Sequence, residues 1–200
     1  MVSKEEVVEG GRGVGAGGSA GSGAFGPGKG FPTDAGEAEI LLSIQGALNH
    51  VPGVLPVARG MSFVGEHAAG WLLMSAAGAA LDKPRRRQWL GLGAAAFCTH
   101  AASVVIKRIV RRPRPHDPRI AIGVGTPSKL SFPSSHATST TAAMVALSRT
   151  IAHPAPLAVI PLMMISRMVL GVHYPTDVTV GALLGAAGAQ VVDTLERRLD

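Results

Sequence analysis

The chain has 200 residues, the length of one domain, with 46% hydrophobic and only 16% charged residues, a mean hydropathy of +0.29 and a formal net charge of +6. Such a basic balance suggests nucleic acid in a soluble protein, but here the lysines and arginines lie between apolar runs. Membrane lipids and an anionic substrate are therefore the expected partners, and nucleic acid is not. The single cysteine, Cys98, lies inside an apolar run and excludes an intramolecular disulfide and a cysteine metal site.

Residues 1–36 are glycine-rich and poor in large apolar groups, which predicts a disordered tail unable to offset its ordering entropy. Gly13 to Gly18 fits Gly-x-Gly-x-x-Gly, but no strand precedes it and many registers of such a tract fit equally, so it is not read as a nucleotide site. The acidic start without a following apolar core does not read as a secretory signal. Residues 37–60 are expected to be an interfacial segment, with Ile40, Leu41, Ile44 and Leu48 on one helical face and Glu37, Gln45 and Asn49 elsewhere, followed by Pro52 and Pro56. Residues 61–200 read as the membrane domain.

Five hydrophobic segments follow: Phe63 to Leu81, Trp89 to Ile106, Ser134 to Ala152, Leu157 to Val172 and Val178 to Val192. The second carries no formal charge and extends about 27 Å as a helix at ~1.5 Å per residue, close to the hydrocarbon thickness. The expected fold class is therefore all-α, a polytopic membrane bundle with about five transmembrane helices. Gly181 and Gly185, with Ala182 and Ala186, form small faces suited to close helix packing rather than catalysis. The run Lys83-Pro84-Arg85-Arg86-Arg87 reads as a charged turn at a membrane face. Alternating spans place this turn and Arg197-Arg198 on one side and the polar motifs on the other. Because the motif loops are themselves rich in lysine and arginine, the positive-inside rule does not orient the chain.

Ser166 to Asp177 interrupts this apolar pattern. Arg167 can hold a phosphoryl oxygen while His173 attacks phosphorus, and Asp177, four residues on, can fix the imidazole tautomer; a bland interfacial loop with snorkelling charges is the competing reading. Two further stretches weigh against that competitor: Lys107, six residues, then Arg114-Pro115; and Pro133-Ser134-Ser135-His136. In this order and spacing, the three resemble the signature of the type 2 phosphatidic acid phosphatase (PAP2) superfamily over roughly residues 60 to 195. Arg114 rather than Arg112 matches, because the residue seven positions before Arg112 is Val105, whereas the same spacing back from Arg114 reaches Lys107.

The resemblance implies a lipid phosphatase working through a phosphohistidine. His173 would be the nucleophile, Asp177 its orienting carboxylate and His136 the general acid and base. Lys107, Arg114, Ser134, Ser135 and Arg167 would bind the phosphate, with Ser134 capping a helix whose N-terminus faces it. The motif's third position, commonly glycine in the family, is Ser135 here. Arg108, Arg111 and Arg112 are surplus to the motif and are expected to contact headgroups or, less favoured, a second anionic group of the substrate. His50, His67, His100, His116 and His153 are read as structural. No Asp/Glu/His cluster has metal-ligand spacing, so metal-independent hydrolysis with no cofactor is expected.

Within the family the substrate could be phosphatidic acid, phosphatidylglycerophosphate, a polyprenyl diphosphate or a polyprenyl-linked sugar phosphate. The short chain and the run Gly125 to Pro133 are most similar to members acting on a decaprenyl-linked phosphoribose in cell-wall arabinan precursor synthesis. A vanadate-dependent haloperoxidase, disfavoured by size and apolarity, and a non-catalytic lipid-binding scaffold are the remaining alternatives.

Overall fold

The structure, a computed structural model, describes residues 34–198. The expected tail lies outside the described residues except for positions 34–36, which open the first helix. Seven α-helices follow one another: α1 (Asp34–Leu48), α2 (Val54–Gly65), α3 (Ala69–Leu81), α4 (Arg86–Val110), α5 (Ser135–Thr150), α6 (Val159–Val169) and α7 (Pro175–Arg198). Among the described residues there is no strand; Pro113 and Leu130 form an isolated antiparallel bridge in the loop between α4 and α5.

The centre of the bundle is α5, packed against α4 and α7. Small side chains allow this close approach: Ala95, Ala142 and Ala189 form a buried cluster shared by the three helices. A Cβ on Gly181 would lie 2.8 Å from the Ser134 carbonyl oxygen, and one on Gly185 only 2.2 Å from that of Thr138. The glycine face therefore brings the α7 backbone directly onto the α5 backbone, as the small-residue spacing predicts.

Two helical stretches, Lys83–Val110 and Pro175–Arg198, are long and apolar enough to cross a membrane. The others are shorter, with 13, 16 and 11 residues in α3, α5 and α6. The segment Phe63 to Leu81 is not one helix: a short 3-10 turn at Glu66–Ala68 separates α2 from α3, with His67 at φ 50 and Ala68 at φ 60. Left-handed backbone at a residue with a Cβ costs roughly 1–2 kcal/mol, so packing around this kink must hold it. Helix α2 itself, running through residues 60 and 61, tolerates Pro56 because in a first turn proline's missing N–H has no intrahelical partner to lose.

Helix α1 faces the bundle differently from its apolar pattern. Glu37, Ala38, Leu41 and Gln45 are buried, whereas Ile40 is 51% exposed. The Gln45 amide explains part of this orientation: it donates to Ala121 O (2.8 Å) and Val169 O (3.0 Å) and accepts from Ala121 N–H (3.0 Å).

The chain reversals separate two ends. Arg87 donates to Glu196 O (2.9 Å) and Arg85 to Thr150 O (3.2 Å), joining the Lys83–Arg87 turn to the ends of α5 and α7. The last turn of α4, the start of α5, the end of α6 and the start of α7 meet at the opposite end.

Candidate active site

Lys107 sits in the last turn of α4, which ends where Arg111 adopts φ 57 and returns its N–H to Lys107 O. The Lys107 side chain is buried and donates to Ser131 O (3.0 Å) and Pro133 O (2.6 Å), tying α4 to the approach to α5. Backbone bonds from Ser131 N–H to Arg112 O (2.8 Å) and Arg114 N–H to Lys129 O (3.2 Å) fold the connecting loop back on itself. Arg114 is thereby aimed inward: its Nε donates to Ser128 O (2.8 Å), and its Nη1 to Val172 O (2.6 Å) and His173 Nε2 (3.2 Å).

Ser134 caps α5, its hydroxyl accepting from Ala137 N–H, and is fully buried. The next two residues open the helix. The Ser135 hydroxyl is hydrogen bonded to that of Ser103 (2.8 Å), and His136 Nε2 donates to Ser62 O (2.9 Å) and lies 3.6 Å from Glu66 Oε2. Arg167, near the end of α6, is 2% exposed; it donates to Ser62 Oγ (2.5 Å), while its buried Nε has no partner. Ser62 on α2 thus ties the general-acid candidate to a phosphate-binding candidate.

The turn from α6 to α7 positions the third motif. Gly171 has φ 69, and a Cβ there would lie 2.4 Å from Ala121 O, so only glycine fits both the turn and its neighbour. His173 follows, and Pro175 opens α7 at the first helical position, where it lacks no hydrogen bond. His173 is 1% exposed, with Nδ1 3.6 Å from Asp177 Oδ2 and otherwise unpartnered, and with Nε2 facing Arg114. Since a guanidinium only donates, Nε2 carries the lone pair and Nδ1 the proton.

Asp177 is held from elsewhere. Its Oδ2 accepts from Tyr174 N–H (2.8 Å), and its Oδ1 from Arg112 Nη1 (2.9 Å). Arg112 also donates to Thr176 Oγ1 (2.6 Å) and Asp34 (2.6 Å) and to Glu37 Oε2, and stacks 4.3 Å from the centre of the Tyr174 ring. The expectation that Arg112 contacts headgroups is therefore overturned: at 2% exposure it is an internal tie between α1 and the start of α7. Its hydrogen bonds to Glu37 and Asp34 outweigh burial and raise its pKa above the ordinary arginine value.

A cavity of about 120 Å³ joins these groups, lined by Lys107, Arg114, Ser135, His136, Arg167 and His173 among others. Ser134 and Asp177 stand behind its wall. Burial first, then the positive charges of Arg114, Arg167 and Lys107, push the His173 pKa well below the ordinary histidine range and keep its imidazole neutral. Burial likewise lowers Arg114 to about 10, against the pull of Asp177 and Glu66, so it stays charged at neutral pH.

Glu66, His67 and His100 also line the cavity, as does Arg108. His67 and His100, read from the sequence as structural, both border the cavity. An ionisable residue inside an apolar segment is the signal that marks Glu66 in the sequence. No group of three or more His, Cys, Asp or Glu side chains suited to a metal ion occurs among the described residues.

The PAP2 superfamily model matches residues 87–198, over half of the chain and all three motifs. The chain belongs to the PAP2 superfamily. The decaprenylphosphoryl-5-phosphoribose phosphatase of Mycolicibacterium smegmatis is 59% identical over 146 residues, 73% of this chain and 81% of that protein. The protein of the same name from Mycobacterium tuberculosis is 51% identical over 160 residues, 80% of this chain and 90% of the relative. Among solved structures, the transmembrane PAP2 type phosphatidylglycerolphosphate phosphatase from Bacillus subtilis superposes with a TM-score of 0.65 at 21% identity, covering 84% of this chain and 86% of that one. Aquifex aeolicus LpxE gives 0.63 at 21% identity, covering 78% and 93%. These two neighbours share the fold of this chain, two of whose helices are long and apolar enough to cross a membrane.

Proposed function

We propose that this PAP2 protein hydrolyses the terminal phosphate monoester of decaprenylphosphoryl-5-phosphoribose. The observation that carries the reading is the convergence of His173, His136, Arg114 and Arg167 on one cavity, in a chain that is 51–59% identical to phosphatases of that name.

The chemistry follows from the contacts. An arriving phosphate draws the Arg114 N–H off His173 Nε2 and onto a phosphoryl oxygen, freeing the lone pair as the cation begins to neutralise the phosphate. Nε2 attacks phosphorus, the bond from phosphorus to the sugar C5 oxygen breaks, and His136 gives that oxygen a proton. The imidazole, now cationic, keeps its Nδ1 proton towards Asp177. Water, giving its proton to His136, then displaces His173 and releases inorganic phosphate. Arg167 and Lys107 supply further positive charge, and Ser134 acts by shaping the α5 terminus rather than by touching substrate.

We further place α3 to α7 as five crossings of the cell membrane, in a multi-pass arrangement supported by their alternating direction, with the site at one face and the Lys83–Arg87 turn at the other. The deciding experiment is phosphate release by detergent-purified protein in EDTA from decaprenylphosphoryl-5-phosphoribose, a polyprenyl diphosphate and phosphatidic acid. Preference for the first, abolished in His173→Ala, supports the proposal; preference for another lipid rejects the substrate and retains the mechanism.

A further inference from the structure

Glu66 is the only carboxylate among the described residues that line the active-site cavity. A negative charge beside a phosphate site opposes phosphate binding, so its position calls for a reason. Two adjacent left-handed residues, His67 and Ala68, break what would otherwise be a continuous apolar helix and hold Glu66 at the cavity. Strain of this kind tends to be kept where function requires it.

In-line displacement fixes which end of the substrate Glu66 meets. The leaving group departs opposite the attacking His173 and beside the acid His136, and Glu66 Oε2 is 3.6 Å from His136 Nε2. His67 Nδ1 lies 3.5 Å from Glu66 Oε1, and the His67 and His100 rings are 6.1 Å apart. The buried His100 Nδ1 has no hydrogen-bond partner. One carboxylate and two imidazoles, one with an unused ring nitrogen, therefore face the leaving group.

We propose that Glu66, His67 and His100 form a leaving-group subsite that accepts a polyhydroxylated sugar ring bonded directly to the scissile phosphate and rejects a leaving group whose own phosphate lies next to that bond. This rests on the proposed function. A pentose joined to the lipid through its anomeric carbon and phosphorylated at C5 leaves the C2 and C3 hydroxyls free, and a carboxylate can accept from both. When the leaving group is itself a phosphate, as in a polyprenyl diphosphate, the same carboxylate repels it; one side chain supplies both the attractive and the repulsive part of specificity.

The test measures inhibition of p-nitrophenyl phosphate hydrolysis by ribose 5-phosphate and by 2-deoxyribose 5-phosphate, in wild type and Glu66→Gln. A bond to a charged acceptor corresponds to roughly tenfold or more in affinity, so the wild-type ratio of inhibition constants should favour ribose 5-phosphate by about that factor and collapse towards one in the variant. Where turnover is too slow to read, thermal stabilisation by each sugar phosphate gives the same ratio. A wild-type ratio near one, or a ratio retained in Glu66→Gln, overturns the subsite. On lipids, the variant should shift relative kcat/KM towards polyprenyl diphosphate, whereas Glu66→Asp, which keeps the charge, should not; equal losses on both lipids would mean that Glu66 serves His136 instead and would also overturn it. If wild type shows no preference for the phosphoribosyl lipid, the substrate proposal fails, while the ratio between the sugar phosphates still decides the subsite.

Discussion

His173 stands between two partners at different distances: Arg114 Nη1 at 3.2 Å from Nε2, and Asp177 Oδ2 at 3.6 Å from Nδ1. In the proposed mechanism the nearer contact protects the nucleophilic lone pair until phosphate displaces it, and the farther one tightens when the imidazole becomes positive. His173→Ala should lower turnover by about four orders of magnitude or more on every substrate, since no other group forms the covalent intermediate. Asp177→Asn should cost roughly 10²- to 10⁴-fold, by analogy with the orienting carboxylates of catalytic triads. His136→Gln should behave differently from both: p-nitrophenolate leaves without a proton, so this variant should lose far more activity on the sugar phosphate than on p-nitrophenyl phosphate. Equal losses on both would deny His136 the role of acid. The lowered pKa of His173 sets the pH response. Protonation removes the nucleophile, so kcat/KM should fall as pH drops through that pKa, and the acid limb should lie below the ordinary histidine range; an ordinary histidine limb would show that another group controls the reaction.

At the scale of elements, α1 supports the proposed orienting carboxylate through Arg112. Its Asp34 and Glu37 hold Arg112, and Arg112 holds Asp177. Arg112→Met would leave buried carboxylates without their cation, a loss typically of about 3–5 kcal/mol. It should lower the melting temperature and reduce kcat more than it raises KM, with Arg112→Lys recovering part of both. The turn before His173 is equally specific: Gly171→Ala should destabilise the protein by roughly 1–3 kcal/mol, because positive φ and the Ala121 carbonyl both oppose a side chain. The motif spacings placed Lys107, Arg114, His136, Arg167 and His173 around one cavity, and the positions of Ser134 and Pro175 at helix starts were also legible, because capping and first-turn proline are local rules. The Arg112 tie was not legible, since its three carboxylates come from residues 34, 37 and 177 and pair only after folding. The inward face of α1 was not legible for a related reason: the partners of Gln45 and Glu37 lie at residues 112, 121, 169 and 176 and meet them only after folding. The break at Glu66 to Ala68 carried a weak polar signal, but neither glycine nor proline marks the left-handed residues themselves.

For the whole molecule, the proposed mechanism assigns to the cations around the cavity the charge that a divalent ion would contribute elsewhere, so phosphate release should persist in EDTA; loss restored by magnesium would contradict it. The two ends of the bundle should also be separable by chemistry. In a Cys98→Ala background, His116→Cys in the loop at the site end and His153→Cys in the turn at the other end are both exposed positions. An impermeant maleimide applied to sealed, uniformly oriented vesicles should label one and spare the other, and labelling of both from one face would refute the five-crossing arrangement. The contact of Gly181 and Gly185 with the α5 backbone has a mechanical corollary. His136 begins α5, while His173 and Asp177 flank the start of α7, so the two sides of the reaction are mounted on one welded pair of helices. A thicker or thinner bilayer tilts such a pair as a unit and leaves the spacing between acid and nucleophile intact. Changing acyl-chain length in reconstituted membranes should therefore leave kcat nearly constant, while discrimination between leaving groups, carried on the kink between α2 and α3, should drift.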